Sequence, residues 1–136
     1  MGTQSLRDLY IDELRDLYSA ESQILDALPT MTHAASSEAL RQAFKEHLEQ
    51  TQVQRERLDL IFKQLAERPD GERCEGMAGL IEEGEERVRD DAPGDVRDAA
   101  LIAAAQRVEH YEIAAYGTAR TYRCAQEVCA YVERPF

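Results

Sequence analysis

Glu109 and Glu112 lie in the run of residues 96–122, VRDAALIAAAQRVEHYEIAAYGTARTY, at positions where a helix should be apolar. At about 100° per residue, Leu101, Ala105, Val108, Tyr116 and Ala119 form one stripe, with Glu112 in its middle and Glu109 toward its edge. Ionised carboxylates buried without partners are strongly unfavourable, and two of them one helical turn apart repel each other as well. The usual compensators are metal ions, a buried Arg or Lys, or a shared proton that raises one pKa.

Other inward polar groups come from the helices that must pack on this one. A first helix is expected over residues 5–28, with Ser5 and Asp8 as a variant capping box and Pro29 as its kink or stop. Its stripe of Leu6, Tyr10, Leu14, Leu17, Ile24 and Leu28 encloses Glu21, a third inward acid. A second helix is expected over residues 38–67, capped at Ser36 or Ser37, with Leu40, Phe44, Leu58, Phe62 and Leu65 inside. In its middle turns the inner positions are His47, Thr51 and Gln54, while Glu46 and Glu49 point away. His47 and Gln54 are therefore offered to a polar centre, and Arg55, at the edge of that face, is the competing neutraliser.

A turn at Arg68-Pro69-Asp70-Gly71 precedes a short helix over residues 75–90, whose Glu82, Glu83, Glu85 and Glu86 read as a solvated face, with Glu82 and Glu83 as outlying metal candidates. Asp95 is placed to cap the long helix of residues 96–123, about 40 Å in length. The tail, residues 124–136, shows no long stripe and is expected to give a few turns at most. His33 reads as exposed at a helix end, and His110 as exposed or at an interface.

Composition agrees with one all-helical domain. The chain has 136 residues, no Trp and a net charge of −11, which argues against a nucleic-acid or anionic-membrane partner and suits the gathering of cations. The apolar runs are too short for a membrane span, no signal peptide is evident, and a cytoplasmic setting is expected. Cys74, Cys124 and Cys129 form no CxxC pair and read as reduced thiols. The glycines form no phosphate-cradling loop, and no Ser or Cys is placed as a nucleophile beside a His and an acid.

The segments LRDLYIDELRDLYSAESQILDALPTM, AFKEHLEQTQVQRERLD, MAGLIEEGEE and, most specifically, VRDAALIAAAQRVEHYEIAAYGTART resemble the YciE/YciF family of bacterial stress-associated proteins over residues 5–122. The resemblance implies a ferritin-like antiparallel bundle with a short extra crossover helix, usually a homodimer, whose polar centre is similar to the di-iron sites of rubrerythrin-like proteins. In that pattern Glu21 stands for the acid of the first helix, and Glu109 with Glu112 for the Glu-x-x-Glu of the third. The chain departs from it twice. Gln52, not His, follows Glu49, leaving His47 and Gln54 on the inner face, and nothing after Tyr122 resembles the family's final acidic helix.

The expected site is therefore Glu21, His47, Gln54, Glu109 and Glu112 around a dinuclear iron or manganese centre, with Glu21 and Glu112 as bridges and Glu109 and His47 as terminal ligands. Fe(II) oxidation by oxygen or peroxide is the implied chemistry, and a partner chain is expected to cover the uncovered bundle face. The alternative is a metal-free helical interaction protein in which Arg55, His47 and the hydroxyls of Tyr10, Tyr18 or Tyr116 hold the three acids.

Overall fold

The computed structural model describes residues 2–132. It contains four helices, α1 Leu6–Ala34, α2 Glu38–Leu65, α3 Glu75–Arg89 and α4 Gly94–Val132. Ser5 caps α1 by accepting the Asp8 N–H at 3.1 Å, and Ser37 caps α2 by accepting from Leu40. Cys74 caps α3, its Sγ accepting the Met77 N–H at 3.3 Å. Ala66 ends α2 in the left-handed conformation, with φ 54°.

Three sequence expectations need correction. Pro29 lies inside α1 and does not end it. Its ring faces solvent, and Leu28 and Met31 on either side are buried in the core, so packing holds the last turn although the bond from position 29 to the Leu25 carbonyl cannot form. Asp95 sits within the first turn of α4 and does not cap it; its Oδ1 accepts from Val96 at 2.9 Å, and the Arg97 N–H donates to the Pro93 carbonyl. The helix begins at Gly94, where a Cβ would lie 2.5 Å from Ser36 Oγ, so a larger residue would have to displace the Ser36 side chain at the α1–α2 junction. Finally, the long helix does not end at residue 123: the few turns expected of the tail are continuous with α4, which runs on through residues 124–132. No Gly or Pro occurs between Gly117 and Pro135, and elongating an existing helix adds one hydrogen bond per residue fixed.

Pro29→Ala should restore the missing bond and relieve the clash with the preceding turn. We expect a gain of about 2 kcal/mol, read as a higher urea midpoint at unchanged slope. No gain would mean that the distortion is already absorbed by the surrounding packing.

α1 is the spine. Arg15 reaches the Arg68 carbonyl and Glu67 at the far end of α2, so α2 runs antiparallel to α1. Asp98, near the start of α4, meets Ser36, and Gln126 donates to the Leu6 carbonyl, so α4 is antiparallel to α1 as well. α2 and α4 are thus parallel, each packed along α1, while α3 bridges α1 and α4 on the other side. A parallel pair needs a crossover, and α3 lies within it.

The buried apolar residues fall into two clusters. One gathers Ile24, Leu28, Met31, Phe44, Met77, Leu101 and Val108. The other gathers Tyr10, Leu14, Leu17, Leu58, Phe62 and Ala119. Glu21, Thr51 and Glu112, all buried, come at the levels along α1, α2 and α4 where one cluster gives way to the other. The two clusters hold the helices at both ends of this polar layer and so fix its geometry.

Candidate metal centre

His47 enters the polar layer from α2, one turn before Thr51, whose hydroxyl donates back to the His47 carbonyl at 2.8 Å. Its ring faces two carboxylates of α4. Nδ1 lies 3.3 Å from Glu109 Oε1 and Nε2 lies 3.3 Å from Glu112 Oε1. The spacing of those acids, one turn apart, lets one imidazole span them. The His47 side chain is 12% exposed and that of Glu112 8%, but that of Glu109 is 52%, so the centre is open on the Glu109 side.

Glu21 comes from α1 and is fully buried. Tyr116 donates to its Oε1 at 3.0 Å. With its nitrogen facing the acids, the Gln54 amide donates to Glu21 Oε2 at 3.3 Å and to Glu112 Oε2 at 3.2 Å. Burial, followed by the hydrogen bond to and charge of Glu112, pushes the Glu21 carboxyl up to about 9. Burial works against protonating His47, but the Glu112 hydrogen bond and the charges of Glu109 and Glu112 together raise its pKa.

The alternative neutraliser is engaged elsewhere. The Arg55 guanidinium stacks over the Tyr18 ring at 5.1 Å from the centroid and donates to the Tyr18 hydroxyl at 3.3 Å. The ion pairs that reach Glu109 and Glu112 come from His47.

His47, Glu109 and Glu112 each present a ligand atom within 4.8 Å of the others. One imidazole and two carboxylates are hard or borderline donors that suit a first-row divalent ion. This donor set suits one such ion, whereas the sequence expectation is a dinuclear centre that also takes in Glu21 and Gln54. Glu21 and Gln54 line the same layer but are joined to each other by the amide contact. Glu82 and Glu83 are exposed on α3.

Sequence phase did not single out a second polar knot, centred on Tyr111. Its hydroxyl donates to Asp16 Oδ2 at 2.6 Å and lies 3.0 Å from Cys74 Sγ. The Cys74 N–H donates to Ser19, and Gln23 donates to the Cys74 carbonyl, so the knot ties the start of α3 to α1 and α4. Burial raises the pKa of both the Cys74 thiol and the Tyr111 phenol. A signal was present in the sequence, since Tyr111 adjoins Glu112 on the inward side of α4, but its partners lie 37 and 95 residues away.

Three long helices with a crossover helix, around a layer of inward acids and a histidine, define a ferritin-like helical bundle. Within that class the chain belongs to the family described as domain of unknown function DUF892, which matches residues 5–128. It is 47% identical over 122 residues to protein YciF of Escherichia coli (strain K12), covering 89% of this chain and 74% of that protein. The crystal structure of the E. coli stress protein YciF superposes with a TM-score of 0.86 at 45% identity, covering 93% of this chain and 79% of that one. YcfI of Rhodopseudomonas palustris superposes with a TM-score of 0.85 at 47% identity, covering 92% and 78%. Among the described residues no helix is long and apolar enough to cross a membrane.

Proposed function

We propose that the protein is a stress-associated metal-binding bundle that holds iron or manganese on His47, Glu109 and Glu112 and uses it to oxidise Fe(II) or to reduce oxygen or peroxide. The observation that carries this reading is the cluster itself: a buried carboxylate and a half-open one are both turned onto a single imidazole, between two apolar clusters. A bound ion would supply one-electron redox chemistry at this point. His47 gives up a proton to become a ligand, and Glu109 and Glu112 contribute the negative charge that favours a cation. A small apolar cleft lined by Ile24, Leu28, Ala105 and Val108 reaches His47 and suits a small oxidant such as oxygen.

A homodimer is part of this proposal. Ile102 and Ile113 are exposed on α4, one on each side of Glu109 in the sequence and close to it in helical phase, and a second copy would cover them. A cytoplasmic setting suits the chemistry, since Fe(II) is available in a reducing compartment.

The test is elemental analysis of protein equilibrated with Fe(II) or Mn(II), read beside mass from light scattering. Bound metal that disappears in His47→Ala is expected, in a particle of twice the chain mass. A stable protein that takes up neither ion would overturn the metal reading. It would favour the metal-free interaction protein, for which the Tyr116 and Gln54 bonds to Glu21 are the supporting observation.

A further inference from the structure

The carboxylates and the imidazole of the polar layer are not equivalent. His47, Glu109 and Glu112 converge, whereas Glu21 is held by other groups: Oε1 accepts from the Tyr116 hydroxyl and, with the Gln54 nitrogen turned toward the acids, Oε2 accepts from its amide. The same amide nitrogen donates its second hydrogen to Glu112 Oε2. Glu21 and Glu112 also hydrogen-bond to each other, so Gln54 lies against both acids that would have to bridge a second ion.

We propose that Gln54 restricts the centre to a single ion, its amide engaging the oxygens of Glu21 and Glu112 that a second cation would need. This rests on the metal reading given above and limits its stoichiometry. The reason is chemical. A primary amide nitrogen presents two N–H donors, which satisfy carboxylate oxygens and repel a cation. A carboxylate at the same position would present only acceptors and would add the charge that a second divalent ion needs. His47 and Gln54 share one face of α2, separated by two helical turns, so the helix delivers one ligand and one stopper to the same layer. Glu21 is then a positioning residue: it anchors Gln54 and Tyr116 and does not touch the ion.

The experiment titrates Mn(II) into the full chain and follows metal per chain and the electron paramagnetic resonance spectrum. For the native chain we expect one Mn(II), with the resolved six-line signal of an isolated ion. Gln54→Glu should take up two, with the broadened signal of a coupled pair. Glu21→Gln keeps the side chain's size and can still accept from Tyr116, so it avoids the folding risk of a new buried acid. It should retain one ion, with affinity lowered by no more than about 100-fold, the limit for loss of an outer-sphere partner, because this inference gives it no contact with the metal. A coupled pair in the native chain, or a drop of more than about 100-fold in Glu21→Gln, would overturn the single-ion inference and leave the metal reading intact. Uptake of no Mn(II) by the native chain would overturn both.

Discussion

Glu112→Ala is expected to abolish metal binding and leave a folded protein behind. Glu112 faces His47 at 3.3 Å and shares the Gln54 amide with Glu21, and it is the more buried of the two α4 acids. Losing an outer-sphere partner of a metal typically costs 10 to 100-fold in affinity, so losing a ligand should cost more than about 100-fold. At a metal concentration about 100 times the dissociation constant, binding to the native chain contributes about 2.7 kcal/mol, or about 10 °C in Tm for a chain of this size. That gain should vanish in the variant. The metal-free protein should behave differently, because Glu112 helps to keep Glu21 protonated at neutral pH, and its removal gives up their hydrogen bond but relieves part of the cost of that raised pKa. His47 keeps Glu109, and Glu21 keeps Tyr116. We therefore expect metal-free stability to change by less than about 1 kcal/mol, in the stabilising direction. Thermal melts with and without Mn(II) separate the two effects. A variant that still gains Tm with Mn(II) would remove Glu112 from the ligand set.

The largest loss of stability is expected far from the metal centre, in Asp98→Ala. Asp98, 8% exposed, accepts the Ser36 and Ser37 N–H groups at 2.8 Å on its two oxygens. It thereby caps the start of α2 from α4 and joins three helices at one point. Hydrogen bonds to an ionised acceptor are each worth about 1.5 to 3 kcal/mol, and the charge also complements the α2 dipole. Ser36 and Ser37 are themselves exposed, so water can satisfy the freed donors in part. We expect a loss of about 3 kcal/mol in urea unfolding. Asp98→Asn, which keeps one acceptor oxygen, should recover part of it. Amide exchange should accelerate selectively across the α1–α2 junction. A loss below about 1 kcal/mol would show that α2 is held by its own Ser37 cap and by packing.

Much of this architecture is legible in the chain because helices display their period in sequence. The stripe that contains Leu14, Leu17 and Ile24 identifies Glu21 as inward before any coordinates are known, and the buried face of α1 follows it. Phase likewise set Glu112 inside and Glu109 at the edge, matching their burial and exposure. Helix ends were less legible. Local breakers and weak stripes place the ends of α1 and α4 too early, because the packing that carries α1 past Pro29 and the ease of extending a helix already formed are not local signals. Asp95 was misjudged for a tertiary reason, since the start of α4 depends on Gly94 meeting Ser36.

The sequence by itself determined the inventory: an all-helical acidic chain, the inward acids Glu21 and Glu112, His47 and Gln54 on one face of α2, and the family to which the chain belongs. Only the tertiary structure decided the pairing. It directed Arg55 onto Tyr18, set His47 between Glu109 and Glu112, and placed the Gln54 amide across Glu21 and Glu112. Helical phase specifies which way a side chain leaves its own axis. Which of several candidate partners it meets depends on how neighbouring helices are rotated and shifted, and that is set by the two apolar clusters at either end of the polar layer.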